Sequence, residues 1–273
     1  MTPHQFPHPP VIAALHLPAF PASGHPDARP LAEIRDFALR NVDKAVNAGV
    51  RGVYLQDLGD YPVPQTIAPY TVAGMAVIGA ALRSAFPELT LGVCLMAHGA
   101  REPLAVAEAI GAQFVRLKVY VGAMVKAEGL LEGCAADAVR YRRQIGAEQI
   151  AIFADVYDRT GEPLGRMSLG EESRQAAVFG RADALVLTGK SYQESLEMVR
   201  EVRLQQPTIP LWIGGGVDAS NVGEALSLAS GVIVGSAFKT LSGFTRESMG
   251  ADWDAGRLHE FMQNANRQCY TEM

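Results

Sequence analysis

Apolar residues gather into eight short runs along the chain: Val11 to Leu17, Gly52 to Leu55, Leu91 to Leu95, Phe114 to Val119, Ala151 to Val156, Ala184 to Leu187, Pro210 to Ile213, and Gly231 to Val234. The segments between them carry helical spacing, so strands and helices alternate, and alternation implies a parallel sheet covered by helices. Helix ends agree with this division. Ala32 to Ala48 stops at Gly49, Pro103 to Ile110 at Gly111, and Ala135 to Ile145 at Gly146, each glycine suiting a left-handed C-terminal cap. Ser168-Leu169-Gly170-Glu171 has capping-box spacing before a fifth helix, and Asp218 or Ser220 is placed to cap a seventh. The tail carries Phe238, Phe244 and Trp253, then a periodic stretch from Arg257 to Asn266 that predicts a last helix closing a barrel. An open doubly wound sheet would put its glycine fingerprint near the first strand, whereas here the glycine-rich turns come last. The predicted fold is therefore α/β, a single-domain (β/α)8 TIM barrel over residues 11–273, with residues 1–10 a flexible lead-in.

The glycine-rich turns are Ile213-Gly214-Gly215-Gly216-Val217 and Val232-Ile233-Val234-Gly235-Ser236. In such a barrel the turns after strands seven and eight commonly hold a phosphate on backbone amides, so Gly214, Gly215, Gly216, Gly235 and Ser236 are the expected phosphate-binding residues. Tight turns that need positive φ are the alternative explanation.

Polar side chains inside strands covered on both faces are costly unless paired or near the mouth. Strict alternation through Val115-Arg116-Leu117-Lys118-Val119-Tyr120 points Arg116, Lys118 and Tyr120 at the barrel axis. The same rule turns Phe153, Asp155 and Tyr157 inward beside them, with Asp155 as counter-ion. His16 and Gln56 end the first two strands, Asp57 follows, and the third strand offers Cys94, Met96 and His98. Catalytic residues of barrels come from the C-terminal ends of several strands, so the expected catalytic set is His16, Gln56, Lys118 and Asp155, with His98 a further candidate. Desolvation beside Arg116 would fit Lys118 for proton transfer or Schiff-base formation. A salt-bridged layer of Arg116, Lys118 and Asp155 that specifies the barrel and does no chemistry is the competing explanation.

Composition narrows the function classes. At 273 residues and 48% apolar content the chain suits one barrel domain. A net charge of −5 without a basic cluster argues against nucleic acid as a partner. No apolar run approaches the roughly 20 residues of a bilayer span, and no signal peptide is evident, so no integral membrane segment and a cytoplasmic location are expected. Cys94, Cys134 and Cys269 are widely spaced, which suggests reduced thiols, with Cys94 a small buried hydrophobe. No second histidine stands at ligand spacing from His16, so no metal site is expected, and no particular cofactor is implied.

The chain also resembles the BtpA/SgcQ family. The resemblance is carried by VIAALHLP (Val11 to Pro18), GVYLQDLGDYP (Gly52 to Pro62), FVRLKVYVG (Phe114 to Gly122) with Glu128 to Gly133, IFADV (Ile152 to Val156), ADALVLTG (Ala182 to Gly189), IGGGVDASN (Ile213 to Asn221) and VGSAFK (Val234 to Lys239). It implies a barrel related to phosphate-binding barrels, assembled as a homo-oligomer, with a family name taken from photosystem I biogenesis or stability. The chain departs from the family's pattern where Gln56-Asp57 replace Glu-Asn, Lys118 replaces an asparagine, Ala97-His98-Gly99 replace an Arg-Asn-Asp-like run, and Tyr157 to Thr160 replace a His-rich turn. Asp155, His16 and the glycine turns are retained. Two functions follow: an enzyme acting on a phosphorylated, sugar-like small molecule, or a non-catalytic assembly factor that uses the barrel as a scaffold.

Overall fold

The computed structural model describes residues 6–8, 10–165, 167–206, 208–241 and 246–271. In chain order the first half runs β1 (Val11–His16), α1 (Leu31–Asn47), β2 (Gly52–Gln56), α2 (Pro69–Ala85), β3 (Thr90–Cys94), α3 (Arg101–Ala109) and β4 (Phe114–Leu117). A hairpin follows, β5 (Ala123–Lys126) and β6 (Gly129–Glu132), then α4 (Ala135–Gln144), β7 (Ala151–Val156), the short β8 (Glu162–Pro163) and α5 (Leu169–Arg174). The remainder is β9 (Ala184–Leu187), α6 (Tyr192–Gln205), β10 (Leu211–Ile213), α7 (Val222–Leu228), β11 (Gly231–Val234), α8 (Arg246–Met249) and α9 (Ala255–Thr271).

The strands β1, β2, β3, β4, β7, β9, β10 and β11 close in that order into a parallel barrel, with Val11 of β1 opposite Val232 of β11. This is the expected (β/α)8 architecture. Gly49, Gly111 and Gly146 sit at φ of 99°, 65° and 66°, as left-handed caps require. Ser168 accepts the Glu171 N–H at 3.2 Å, while Asp218 instead holds the turn before α7 by accepting from Ser220, and Asn221 stands at the cap. The last helix packs between α1 and α7. Asn41 and Lys44 of α1 fix the segment that leads into it, through the Trp253 N–H (2.6 Å) and carbonyl (3.0 Å). Phe238 and Trp253 pack edge to face there; Phe244, and the side chain of Cys269, lie outside the described residues.

Two layers of core follow from strand alternation. Outward residues such as Val115, Leu117, Ile152 and Val156 pack against the helices. Inward residues fill the barrel, and its floor is aromatic: Phe153 stacks on Phe114 at 4.7 Å and meets Trp212 at 5.3 Å. Phe6 closes this cluster from below at 5.5 Å from Phe153 and 5.4 Å from Trp212. The end of the lead-in is thus packed rather than loose at Phe6; residues 1–5 and 9 lie outside the described residues.

A three-stranded antiparallel sheet, ordered β6-β5-β8, lies beyond the C-terminal ends of β4 and β7, where the hydrophobic pattern predicts none. Met124 and Leu131 of this sheet bury against Val119. It also explains why alternation fails after Lys118. Here the chain leaves the barrel ladder, and the Val119 and Tyr120 carbonyls accept instead from the Cys134 and Ala135 N–H groups. Tyr120 accordingly turns into the outer core, where its hydroxyl donates to the Gly180 carbonyl, and it does not face the axis. Tyr157 fails similarly: β7 ends at Val156, and Tyr157, at φ 56°, packs outward and donates its hydroxyl to the Met167 carbonyl.

Candidate functional site

The C-terminal mouth of the barrel encloses a cavity of about 220 Å³. Its wall includes His16, Gln56, Lys118 and Asp155 together with Gly214, Gly215, Gly216, Gly235 and Ser236, so the chain brings together every residue of the expected catalytic and phosphate-binding sets. Strand geometry accounts for this. Inward positions two residues above the floor are Arg116 above Phe114, Asp155 above Phe153, Gly214 above Trp212 and Gly235 above Ile233.

Arg116 and Asp155, on adjacent strands, form a two-pronged pair, Nε to Oδ1 at 2.9 Å and Nη2 to Oδ2 at 3.1 Å. Arg116 also donates through Nη1 to the Tyr54 hydroxyl at 3.1 Å, and that hydroxyl donates to Gln56 Oε1 at 3.3 Å. Burial raises the Asp155 pKa against the pull of Arg116; burial would likewise lower that of Arg116, but Asp155 holds it well above its ordinary range. Both oxygens of Asp155 are therefore engaged by Arg116. The Lys118 ammonium instead donates to the Met96 sulfur at 2.9 Å, which also accepts from Gln56 Nε2 at 3.1 Å.

His16 is surrounded by cations. Burial first, then Lys239, Arg116 and Lys118, push its pKa down to about 3. The ring stays neutral at physiological pH, which suits it to hydrogen bonding and proton relay rather than to carrying positive charge. Close approach explains two of the glycines. A Cβ on Gly235 would lie 2.9 Å from His16 Cε1, and one on Gly214 would lie 2.1 Å from Thr188 Oγ1 and 3.1 Å from Arg116 Nη2. Gly214 moreover donates its N–H to the Leu187 carbonyl at 3.0 Å. At Gly216 a φ of 81° favours glycine, whereas a Cβ on Gly215 would meet nothing nearer than 3.4 Å.

His98 is not part of this site. Its Nε2 bonds the Glu132 carbonyl at 2.7 Å under the small sheet. Cys94 points into the barrel, fully buried, and burial pushes its thiol up to about 11, which leaves it unreactive. Asp57 turns away to accept the Met96 N–H at 2.7 Å, and burial raises its carboxyl to about 6.

Several cavity residues escape the sequence reading. Thr188 continues the inward alternation Ala184, Val186, Thr188, a signal present in the sequence; its hydroxyl is buried with no hydrogen-bond partner among the described residues. Arg159 and Lys239 lie on segments after strands, where alternation says nothing. Asp158 holds Lys126 of β5 at 2.6 Å. Burial would raise the Asp158 carboxyl, but Lys126 and then Lys118 draw it down to about 2. This buried pair ties the small sheet to the rim of the cavity. Among the described residues no cluster of three metal-ligating side chains occurs, and no helix is long and apolar enough to cross a membrane.

Known proteins share both the sequence and the barrel. Residues 7–267 match the BtpA family. The photosystem I biogenesis protein BtpA of Synechocystis is 31% identical over 85% of this chain and 81% of its own length. A Caenorhabditis elegans protein described as mitochondrial is 31% identical over 94% of this chain and 92% of its own. Among solved structures, a native KDPGal structure superposes with a TM-score of 0.57 at 14% identity, covering 96% of both chains. The 3-keto-L-gulonate-6-phosphate decarboxylase of Vibrio cholerae gives 0.55 at 14% identity, covering 94% of this chain and 97% of the other. At such identities these two share the fold.

Proposed function

Given that this chain belongs to the BtpA family, we propose that it binds a phosphorylated small molecule in the barrel mouth and acts on it as an enzyme of phospho-sugar-type metabolism. One observation carries this reading. Among the described residues the cavity wall bears Arg116, Lys118, Arg159 and Lys239 against Asp155 and Asp158, and those two carboxylates are already engaged by Arg116 and Lys126. A small cavity with such an excess of cations is electrostatically complementary to an anion. The phosphate is assigned to the Gly215, Gly216 and Ser236 rim, with Gly214 and Gly235 making room for Thr188, Arg116 and His16. The Arg116–Asp155 pair, Gln56 and the Thr188 hydroxyl then face the polar remainder of the ligand. Lys118 stabilises developing negative charge, and His16 moves a proton. The Vibrio cholerae decarboxylase, named for a phosphorylated sugar acid and built on the same fold, adds analogy to this assignment.

Gly215 offers the cleanest test, since a Cβ there meets no atom closer than 3.4 Å and the residue does not occupy a left-handed φ. Calorimetric titration with D-ribose 5-phosphate should show at least about 100-fold weaker binding for Gly215→Leu, or about 2.7 kcal/mol, with an unchanged melting temperature. Equal affinities would remove the phosphate assignment.

A second reading is a non-catalytic assembly factor, in line with the name of the Synechocystis relative. Val125 and Leu130 on the small sheet and Leu164 just after it favour it, being 50%, 51% and 59% exposed, with Val125 and Leu130 sharing the face opposite Met124 and Leu131. It expects a homo-oligomer or a protein partner at that face and no turnover. Size-exclusion chromatography of Val125→Glu against the parent separates the two, because only the assembly reading makes that face essential.

A further inference from the structure

The cavity holds a second lysine whose surroundings differ from those of Lys118. Lys239 follows the β11 turn by three residues, is 4% exposed, and still forms part of the cavity wall. Its Nζ donates to the Ser248 carbonyl at 2.7 Å, which fixes the amine in place, while backbone pairing with Trp253 anchors its main chain. It shares the cavity wall with the neutral imidazole of His16, on which it exerts the largest charge effect of any group. Other charged groups in the same wall are Arg116, Lys118, Arg159, Asp155 and Asp158.

We infer that Lys239 is a carbonyl-reactive catalytic lysine, and that the ligand is a phosphorylated aldehyde or ketone. This rests on the reading of the cavity as a phosphorylated-metabolite site. Two features prepare the amine. It is held at one wall of the cavity by the Ser248 carbonyl, and His16 in the same wall is uncharged and able to relay a proton. Burial also brings the Lys239 ammonium down to about 8, so the neutral amine is accessible near physiological pH. Ser236, assigned to the phosphate, lies three residues upstream and lines the same cavity as Lys239.

Deprotonated Nζ adds its lone pair to the carbonyl carbon as the C=O π bond breaks onto oxygen, and the proton that nitrogen gives up passes to that oxygen through the neutral His16 ring, which relays it without becoming charged, to give a neutral carbinolamine. A second proton, from solvent, turns the carbinolamine hydroxyl into water, which leaves as the nitrogen lone pair forms the C=N bond of the iminium. No oxidant or reductant is needed.

The test is trapping on the full-length protein. Dihydroxyacetone phosphate and, separately, dihydroxyacetone are incubated with the protein and cyanoborohydride, whose hydride reduces the iminium to a stable secondary amine, and the modified lysines are mapped by peptide mass spectrometry. The expected result is modification at Lys239 in preference to Lys118 and surface lysines, at least tenfold faster with the phosphorylated ketone. Lys239→Arg, which keeps a cation, should lose the adduct while binding the phosphate in calorimetry. Because mapping uses the unaltered chain, it decides even if that variant fails to fold. Saturable binding of dihydroxyacetone phosphate without an adduct at Lys239 overturns the lysine assignment and leaves the phosphate reading standing. Equal trapping of both ketones at Lys239 keeps the lysine and removes the phosphate. Neither binding nor trapping overturns both.

Discussion

The floor and the mouth of this barrel are built by the same strands from residues two apart, yet one is a dry aromatic cluster and the other a charged cavity. Phe114 and Arg116 share β4, Phe153 and Asp155 share β7, and Trp212 precedes Gly214 at the end of β10. Alternation decides that a side chain points inward, and its height along the strand decides what the interior can accept. At the floor nothing is solvated, so aromatic area fills the space. Near the mouth charges survive because they are paired, as Arg116 with Asp155, or keep partial access to solvent and ligand. Stability and function should therefore separate by height within single strands.

The largest effects test that separation directly. Phe153→Ala opens a void among Phe6, Phe114 and Trp212, and chemical denaturation should show a loss of about 3–5 kcal/mol. Affinity for D-ribose 5-phosphate, measured on the folded fraction, should stay within about threefold of the parent, a change below about 0.7 kcal/mol. Two residues further on, Asp155→Ala leaves a buried guanidinium without its counter-ion and should cost about 3–5 kcal/mol as well, but with loss of ligand binding too. If both substitutions spare or both abolish binding, floor and mouth are one unit and the contrast fails.

The barrel is legible in the sequence because strands covered on both faces are nearly continuous apolar runs. Ala151 to Val156, Ala184 to Leu187 and Gly231 to Val234 begin and end as expected. The Arg116–Asp155 pair is legible for a related reason, since inward positions on neighbouring strands must meet. Expectation fails where the ladder ends. Tyr120 and Tyr157 lie past the last ladder hydrogen bond, where alternation no longer governs, and Lys239 lies on a segment that alternation never reaches. The β5–β6 hairpin is short and half exposed, and its signal is a two-residue Ala127-Glu128 connection before Gly129, at φ 110°. Gly214 and Gly235 read as anion-binding glycines, yet close approach of Thr188, Arg116 and His16 is sufficient reason for both.

Titration gives smaller effects of opposite sign. His16 binds protons less readily folded, at about 3, than unfolded, near 6.5, so the unfolded chain takes up the additional proton between these values. Its contribution is full above pH 6.5 and is lost as pH falls toward 3. Between pH 7.5 and 4.5 the parent should lose about 3 kcal/mol more stability than His16→Asn, less to the extent that the ring keeps solvent access. Glu172 runs the other way. Burial raises its carboxyl to about 7, so the folded chain holds the proton more tightly and stability falls as pH rises from about 4.5 to 7. Glu172→Gln, whose amide oxygen can still accept the Tyr157 N–H, should therefore stabilise the protein by up to about 3 kcal/mol at pH 8 and hardly at all at pH 4.

The smallest effect on stability is expected at Lys118, and there the contrast between height and function is sharpest. Its ammonium is held in the mouth by a thioether, Met96, rather than by a carboxylate, so removing the charge leaves no buried ion behind. Lys118→Met should shift the unfolding free energy by no more than about 0.5 kcal/mol, the range of substitutions that break no buried pair. The same change takes one cation from a wall that bears Arg116, Lys118, Arg159 and Lys239, and should weaken D-ribose 5-phosphate binding about tenfold, or about 1.4 kcal/mol. That loss should shrink as salt is raised, because part of the attraction is long range. An unchanged affinity together with a large loss of stability would invert the assignment, and would make Lys118 part of the scaffold that Arg116 and Asp155 already form.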